Sequence, residues 1–206
     1  MVKKLAINVS IGRFEDTPGI YNVFKQNLVE IRDIDETVQK QKIKLENQGF
    51  LRKEVGIEYY ENLINGSNTQ IFVAKDQEGN ILGFASFHIR NYDIVKVRDV
   101  IGNLSFENDR TKDLLLNNDT EFAYLDQISI LPEYKHKGIA TTIFKKALLE
   151  IHTPIVAFIV EKPLFNKASI YWHKHNGFEF SAISDGEYKG KMFKFQIFVH
   201  WNKIEK

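Results

Sequence analysis

Apolar residues fall into runs whose spacing changes along the chain. Residues 4–11 (KLAINVSI) alternate as a first strand does. Asp16, Thr17 and Pro18 read as a helix start, and Ile20, Val23, Phe24, Leu28 and Ile31 follow at helical spacing. Residues 34–48 form a polar second helix that Gly49 ends, and Ile57 to Ile64 a short third one closed by Gly66. Gln70–Lys75 and Ile81–Arg90 are β-rich runs joined by a Gly-containing loop at 76–80. Residues 91–120 are charged and broken by Gly102, with a turn at Asn117-Asn118-Asp119. They read as a partly helical insertion with solvated faces.

The pattern then sharpens. Phe122–Leu131 reads as a strand and Gly138–Ile151 as a helix, with Ile139, Ile143, Phe144, Ala147, Leu148 and Ile151 on one stripe. Residues 155–160 (IVAFIV) are continuously apolar, as in a strand covered on both faces. Asn166–Asn176 is a further helix, stopped by Gly177. Two last strands, near 178–184 and 192–200, flank an Asp185-Gly186 turn. This order makes an α/β (α+β) chain: a central mixed sheet flanked by helices, with 1–206 read as a single domain.

Composition narrows the function. The chain of 206 residues has 28 Lys plus Arg against 27 Asp plus Glu, a formal charge of +1. That balance argues against coating nucleic acid or an anionic membrane by bulk charge. It contains no cysteine, so a thiolate nucleophile and sulfur-ligated metal sites are excluded, and no metal site is expected. No secretory leader and no run near the roughly 20 apolar residues of a membrane helix stands out, which makes the cytoplasm the default location.

The chemistry concentrates in Leu125–Ala140 (LDQISILPEYKHKGIA), where a strand ends at Pro132 and a short basic loop enters a helix. Gly138 and Ala140 let a ligand approach the backbone, and first-turn N–H groups have no intrahelical partner. Unpaired donors plus the helix dipole favour an anion, and Lys135, His136 and Lys137 add charge. A phosphate or pyrophosphate is the group most naturally cradled. The loop is not a Walker A motif, because no Lys-Ser/Thr follows the glycine.

Lys135-His136-Lys137-Gly138-Ile139-Ala140 resembles motif A of the GNAT superfamily of acyl-CoA N-acyltransferases, Gln/Arg-x-x-Gly-x-Gly/Ala, with Lys at the first position. The preceding Ile128-Ser129-Ile130-Leu131-Pro132 matches its hydrophobic strand element. Asn166-Lys-Ala-Ser169-Ile-Tyr-Trp-His173-Lys-His-Asn-Gly177-Phe178 resembles the family's Asn-x-x-Ala/Ser…Tyr-x-x-x-Gly-Phe segment. The two motifs cover residues about 122–180.

The resemblance implies a GNAT fold with a mostly antiparallel twisted sheet, and an enzyme that moves an acetyl group from acetyl-CoA directly to a primary amine. The alternative is a non-catalytic acyl-CoA-binding or regulatory module on the same fold. Backbone amides of Lys135, His136, Lys137, Gly138, Ile139 and Ala140, with Thr141 beside them, are expected at the CoA pyrophosphate. Main-chain groups of Ile128, Ser129 and Ile130 are expected along the pantetheine arm in the manner of an added strand. Asn166 is expected to contact CoA or to orient its helix.

His173 stands where relatives often carry a Tyr that protonates the leaving thiolate; as imidazolium it could act as that acid, and neutral as a base. Tyr171 is the fallback hydroxyl, some 200° away around a helix. For the base, Asp126 and Glu121 are the acidic residues on the strand. Period-2 counting places Asp126 on a face with Ile128 and Ile130, an apolar setting of the kind that raises a carboxyl group's pKa; a bulge would change that face. The resemblance also implies a small-molecule or peptide amine partner, and a homodimer through a sheet edge as an open expectation.

Overall fold

The computed structural model describes residues 6–30, 39–89, 104–117, 119–188 and 190–202. In chain order the elements are β1 (Asn8–Ile11), α1 (Thr17–Asn27), α2 (Gln39–Gln48), α3 (Ile57–Asn65), β2 (Thr69–Lys75), β3 (Ile81–His88), β4 (Leu104–Phe106), α4 (Asp109–Leu116), β5 (Ala123–Ile130), α5 (Ile139–Ala147), β6 (Ile155–Lys162), α6 (Lys167–His175), β7 (Glu179–Tyr188) and β8 (Lys191–His200). The strands form one sheet in the order β1-β2-β3-β5-β6-β8-β7-β4. Every neighbouring pair is antiparallel except β5 with β6.

That parallel pair makes the functional cleft. β5 and β6 are in register only at Ala123–Ile155, Tyr124–Val156 and Leu125–Ala157. Beyond this point β5 continues beside β3 alone, and β6 beside β8 alone. A bulge sits at the parting: Ser86 pairs with Gln127 and Phe87 with Leu125, so Asp126 is the extra residue on β5.

The core lies on both faces of the sheet. Phe24 of α1, Tyr60 of α3, Phe72 and Phe84 of the β2–β3 hairpin and Ile143 and Phe144 of α5 form the larger cluster. Of the stripe read from the sequence, Ile139, Ile143, Phe144 and Ala147 are buried on α5, while Leu148, half-buried, and Ile151, buried, follow its end. On the second face Leu114, Leu115 and Phe122 pack on Val156, Ala182, Ile197 and Val199.

Two expectations need correction. The later part of the 91–120 insertion is not merely solvated: β4 extends the sheet against β7, and α4 buries Thr111, Leu114 and Leu115. Its start is capped by Asn108, whose side chain accepts from Thr111 N at 2.8 Å; residues 90–103 lie outside the described ones. The Asp185-Gly186 signal is also not a turn, since Asp185 pairs with Lys194 and Gly186 with Phe193 inside a longer hairpin. The chain reverses between Tyr188 and Lys191, with Gly190 at φ +77. Asp-Gly suits a tight turn, but the strand alternation on both sides carries the ladder through it. Of the strand expected at 4–11, residues 8–11 pair with β2, and residues 1–5 lie outside the described ones.

Candidate active site

Where β5 and β6 part, they enclose a cleft of about 310 Å³, with α5 and α6 at its sides and residues 48–53 across its mouth. The open edge of β5 follows from strand geometry. Leu131 N donates to Leu82 O at 2.9 Å, so by alternation Ser129 and Gln127 turn their main-chain groups toward β3. Ile128 and Ile130 turn theirs into the cleft. The Ile130 carbonyl is already taken there: it accepts from Asn27 Nδ2 at 3.0 Å.

At the C-terminal end of β5 a 3-10 turn (Pro132–Tyr134) leads to two left-handed residues, His136 at φ 62 and Gly138 at φ 79. The first helical bond of α5 runs from Thr142 N to Gly138 O at 3.0 Å. The amides of Ile139, Ala140 and Thr141 therefore precede any intrahelical acceptor, and these residues line the cleft together with Lys135, His136 and Gly138. Lys137 does not line it; its ammonium lies 4.7 Å from the ring centre of Tyr134. The Lys135 ammonium donates to Gly49 O at 3.1 Å, and burial lowers its pKa to about 8.

At the other end, where the strands begin to part, a side-chain triangle forms. Tyr59 of α3 donates its hydroxyl hydrogen to Asp126 Oδ2 at 2.6 Å. Lys53 Nζ donates to Tyr59 Oη at 2.7 Å and stands 3.3 Å from Asp126 Oδ1. The Asp126 side chain is 5% exposed, so these partners replace most of its water. Burial, then the Asp126 charge and hydrogen bond, push the Tyr59 phenol far above its ordinary pKa, so it stays a donor. Next door, Tyr60 donates to Gln127 Oε1 at 2.7 Å. The apolar setting expected for Asp126 is thus corrected: the bulge breaks period-2 counting, and the carboxylate meets a phenol and an ammonium.

His173 lies on the cleft wall, packed edge-on to Trp172 and Phe178 at ring separations of 4.8 and 4.7 Å. Nδ1 is 2.7 Å from Ser169 O, and a carbonyl only accepts, so Nδ1 carries the hydrogen. Nε2 is then a bare acceptor, buried without a partner. Burial lowers the pKa to about 4, so the ring is neutral near pH 7. Of the two forms that the sequence leaves open, imidazolium acid and neutral ring, the buried setting favours the neutral ring.

Two further candidates fall away. Tyr171 is 73% exposed on the outer side of α6 and does not line the cleft. Glu121 is exposed, ahead of β5, and also lies off the cleft. Asn166 does line it, but its polar atoms serve the fold. Oδ1 accepts from Ser169 N at 3.4 Å as the N-cap of α6, and Nδ2 donates to Phe50 O at 2.9 Å.

Sequence reasoning missed the segment 49–53, which straps the cleft from end to end. Gly49 O holds Lys135, Phe50 O holds Asn166, and Leu51 bridges to Leu28. The Arg52 guanidinium lies 4.6 and 5.1 Å from the ring centres of Phe193 and Phe195, and Lys53 reaches Asp126. Asn27, Lys53 and Tyr59 were also missed. Their one signal was position, between the first two strands, where this chain places a polar helix and an adjacent tyrosine pair.

Among the described residues, no helix is long and apolar enough to cross a membrane, and no group of three or more His, Asp or Glu could hold a metal ion.

The family model described as acetyltransferase (GNAT) family matches residues 31–178. A search of curated proteins finds no significant match. Solved structures resemble the fold across nearly the whole chain. The ribosomal-protein-S18-alanine N-acetyltransferase from Escherichia coli aligns with a TM-score of 0.60 at 12% identity, over 98% of this chain and 97% of that one. Arabidopsis thaliana NAA60 in complex with acetyl-CoA aligns at 0.57 and 14% identity, over 95% and 99%. A chimera of spermidine N-acetyltransferase SpeG from Vibrio cholerae and hSSAT aligns at 0.54 and 17% identity, over 95% of each chain.

Proposed function

The chain belongs to the acetyltransferase (GNAT) family, and from that premise we propose that it moves an acetyl group from acetyl-CoA directly to a primary amine. The observation that carries this reading is the open edge of β5, which runs from the free amides of α5 to the buried Asp126 carboxylate. The donor supplies a thioester carbonyl open to attack by an amine. The chain binds it at two places.

The amides of Ile139, Ala140 and Thr141, beside the left-handed turn at His136 and Gly138, suit a pyrophosphate. The Ile128 main-chain groups and the Ile130 N–H suit the amides of the pantetheine arm as an added strand would. The Ile130 carbonyl is left out, because Asn27 holds it. Nothing in this fit requires Lys137, which turns outward over Tyr134.

An amine is protonated in neutral water and attacks only after losing that proton. Asp126 is the carboxylate on the cleft wall and the proposed acceptor of the proton, with Tyr59 and Lys53 orienting its two oxygens. His173 is a neutral wall group whose bare Nε2 can accept a hydrogen bond. No acyl-cysteine can form, because the chain has no cysteine, which supports direct transfer.

The test is thiol release. Protein, acetyl-CoA and a panel of primary amines are incubated and free CoA thiol is followed; the cysteine-free chain adds no background. Amine-dependent release is the expected result. Tight CoA binding with no release above hydrolysis for any amine would leave a binding module in place of an enzyme.

A further inference from the structure

Asp126 already has a cationic partner, and that bears on which amines can be accepted. Lys53 Nζ stands 3.3 Å from Oδ1 and 2.7 Å from Tyr59 Oη. Arg52 precedes it, its guanidinium over the rings of Phe193 and Phe195. Of the described residues that line the cleft, Asp126 is the only carboxylate, against Arg52, Lys53 and Lys135. Lys135 belongs to the other end, bound to the Gly49 carbonyl. Among the described residues at the end where the acceptor would enter, the one carboxylate, Asp126, is therefore already paired with a cation, Lys53.

A simple cationic amine arriving at Asp126 must either displace Lys53, whose side chain is 42% exposed, from a carboxylate that is only 5% exposed, or share that carboxylate with it. Both are unfavourable where burial weakens screening. A polyamine compounds the problem, since among the described residues of the cleft one carboxylate is there to receive several ammonium groups. An acceptor that brings its own carboxylate resolves it. The ammonium takes Asp126, the carboxylate takes Lys53, and one ion pair is exchanged for two with no charge left over.

Spacing narrows the class further. Asp126 Oδ1 and Lys53 Nζ are 3.3 Å apart, so groups binding both at once must be near neighbours in one small molecule. An amine and a carboxylate carried by one carbon meet that condition; the ends of a long chain do not. The remainder of the molecule would meet the aromatic lining of the cleft, which includes Tyr124, Phe158 and Phe195.

We infer that the acceptor is a free amino acid or a similarly compact zwitterion, selected by Lys53 acting opposite Asp126. This rests on the acetyl-transfer reading, in which Asp126 meets the acceptor's amine.

The experiment uses matched probes: L-phenylalanine against 2-phenylethylamine, L-leucine against 3-methylbutylamine, and spermidine. Their binding to the CoA-saturated protein is measured by calorimetry, and thiol release is followed in parallel with acetyl-CoA. Each amino acid is expected to bind at least about tenfold more tightly than its decarboxylated partner, and spermidine more weakly than either amino acid. The ratio within a pair should fall toward one in Lys53→Gln and reverse in Lys53→Glu, while Lys53→Arg keeps it. Because the wild-type ratio needs no variant, misfolding of a variant cannot mask the answer. Equal or better binding of the decarboxylated amines, or no binding of any amino acid, overturns the inference. Thiol release with no preference within a pair overturns it too, while leaving acetyl transfer standing. A clear preference in binding without thiol release overturns acetyl transfer and leaves the selection standing.

Discussion

The two ends of the cleft are built from different materials. One is backbone: the amides of Ile139, Ala140 and Thr141 and the left-handed turns at His136 and Gly138, all from one stretch of chain. The other is side chain: Asp126 from β5, Tyr59 from α3 and Lys53 from the strap, 67 and 73 positions distant from Asp126. A backbone site tolerates side-chain replacement and fails when its dihedral angles change. A side-chain site fails on a single substitution and is free to differ from one chain to another. A common donor and a variable acceptor suit that division.

The side-chain end is the easier to break. Asp126→Asn keeps the shape and removes the proton acceptor, so kcat/KM should fall by about 10²–10⁴-fold with CoA affinity nearly unchanged. Steady-state kinetics with a saturating donor read the first, and calorimetry the second. Retained turnover would move the base elsewhere.

His173 tests whether the wall between the two ends is chemical or structural. Its folded pKa is about 4 against the ordinary 6.5 of an unfolded histidine. Below pH 6.5 the unfolded chain takes up a proton that the folded one refuses. The stability this group provides is therefore full above that pH and is lost as pH falls toward 4. The loss amounts to about 3 kcal/mol. Melting temperature should drop over that window, and His173→Phe should flatten the slope. His200, whose pKa burial also lowers, contributes in the same direction, so some slope remains. Turnover of His173→Phe should stay within about tenfold of wild type if no imidazolium acid is used.

A glycine pair sharpens the claim for the backbone end. Gly138 and Gly79 have φ of +79 and +89, and a Cβ at either meets nothing within 4 Å. Gly138→Ala and Gly79→Ala should each cost about 1–2 kcal/mol in backbone strain alone. Only Gly138→Ala should also weaken CoA, by up to about five- to thirtyfold, as the free loop relaxes away from φ +79 and binding must restore that strain. Equal CoA affinity in both variants would mean that the 136–140 turn is not the anion site.

The smallest effect belongs to Lys135. Its ammonium loses charge as pH rises through about 8, so CoA affinity should decline by a few-fold between pH 7 and 9. The decline should vanish in Lys135→Met and shrink in high salt.

The backbone end was legible in the sequence because its determinants are contiguous. Gly138 at a strand-to-helix junction and the apolar stripe of α5 are local patterns, and local patterns survive folding. The side-chain end was not. The bulge at Asp126 is invisible to a count of alternating residues, and no spacing rule links Lys53 or Tyr59 to β5. Tyr171, which helical geometry already sets some 200° from His173, is turned to solvent by α6. The polar composition of 109–116 likewise hid how firmly its helix is seated: Leu114 and Leu115 face inward, while Leu116 stays exposed.

The bulge on β5 also fixes a length. From Asp126 to Leu131 the strand spans five residues, about 17 Å at 3.3–3.4 Å each, and no side-chain substitution can alter it. β5 acts as a ruler between the proton acceptor and the anion cradle. Adding or deleting one residue within it would shift one mark relative to the other and turn Ile128's main-chain groups from the cleft toward β3. Acceptor preference can therefore drift through the strap while the ruler stays at one length.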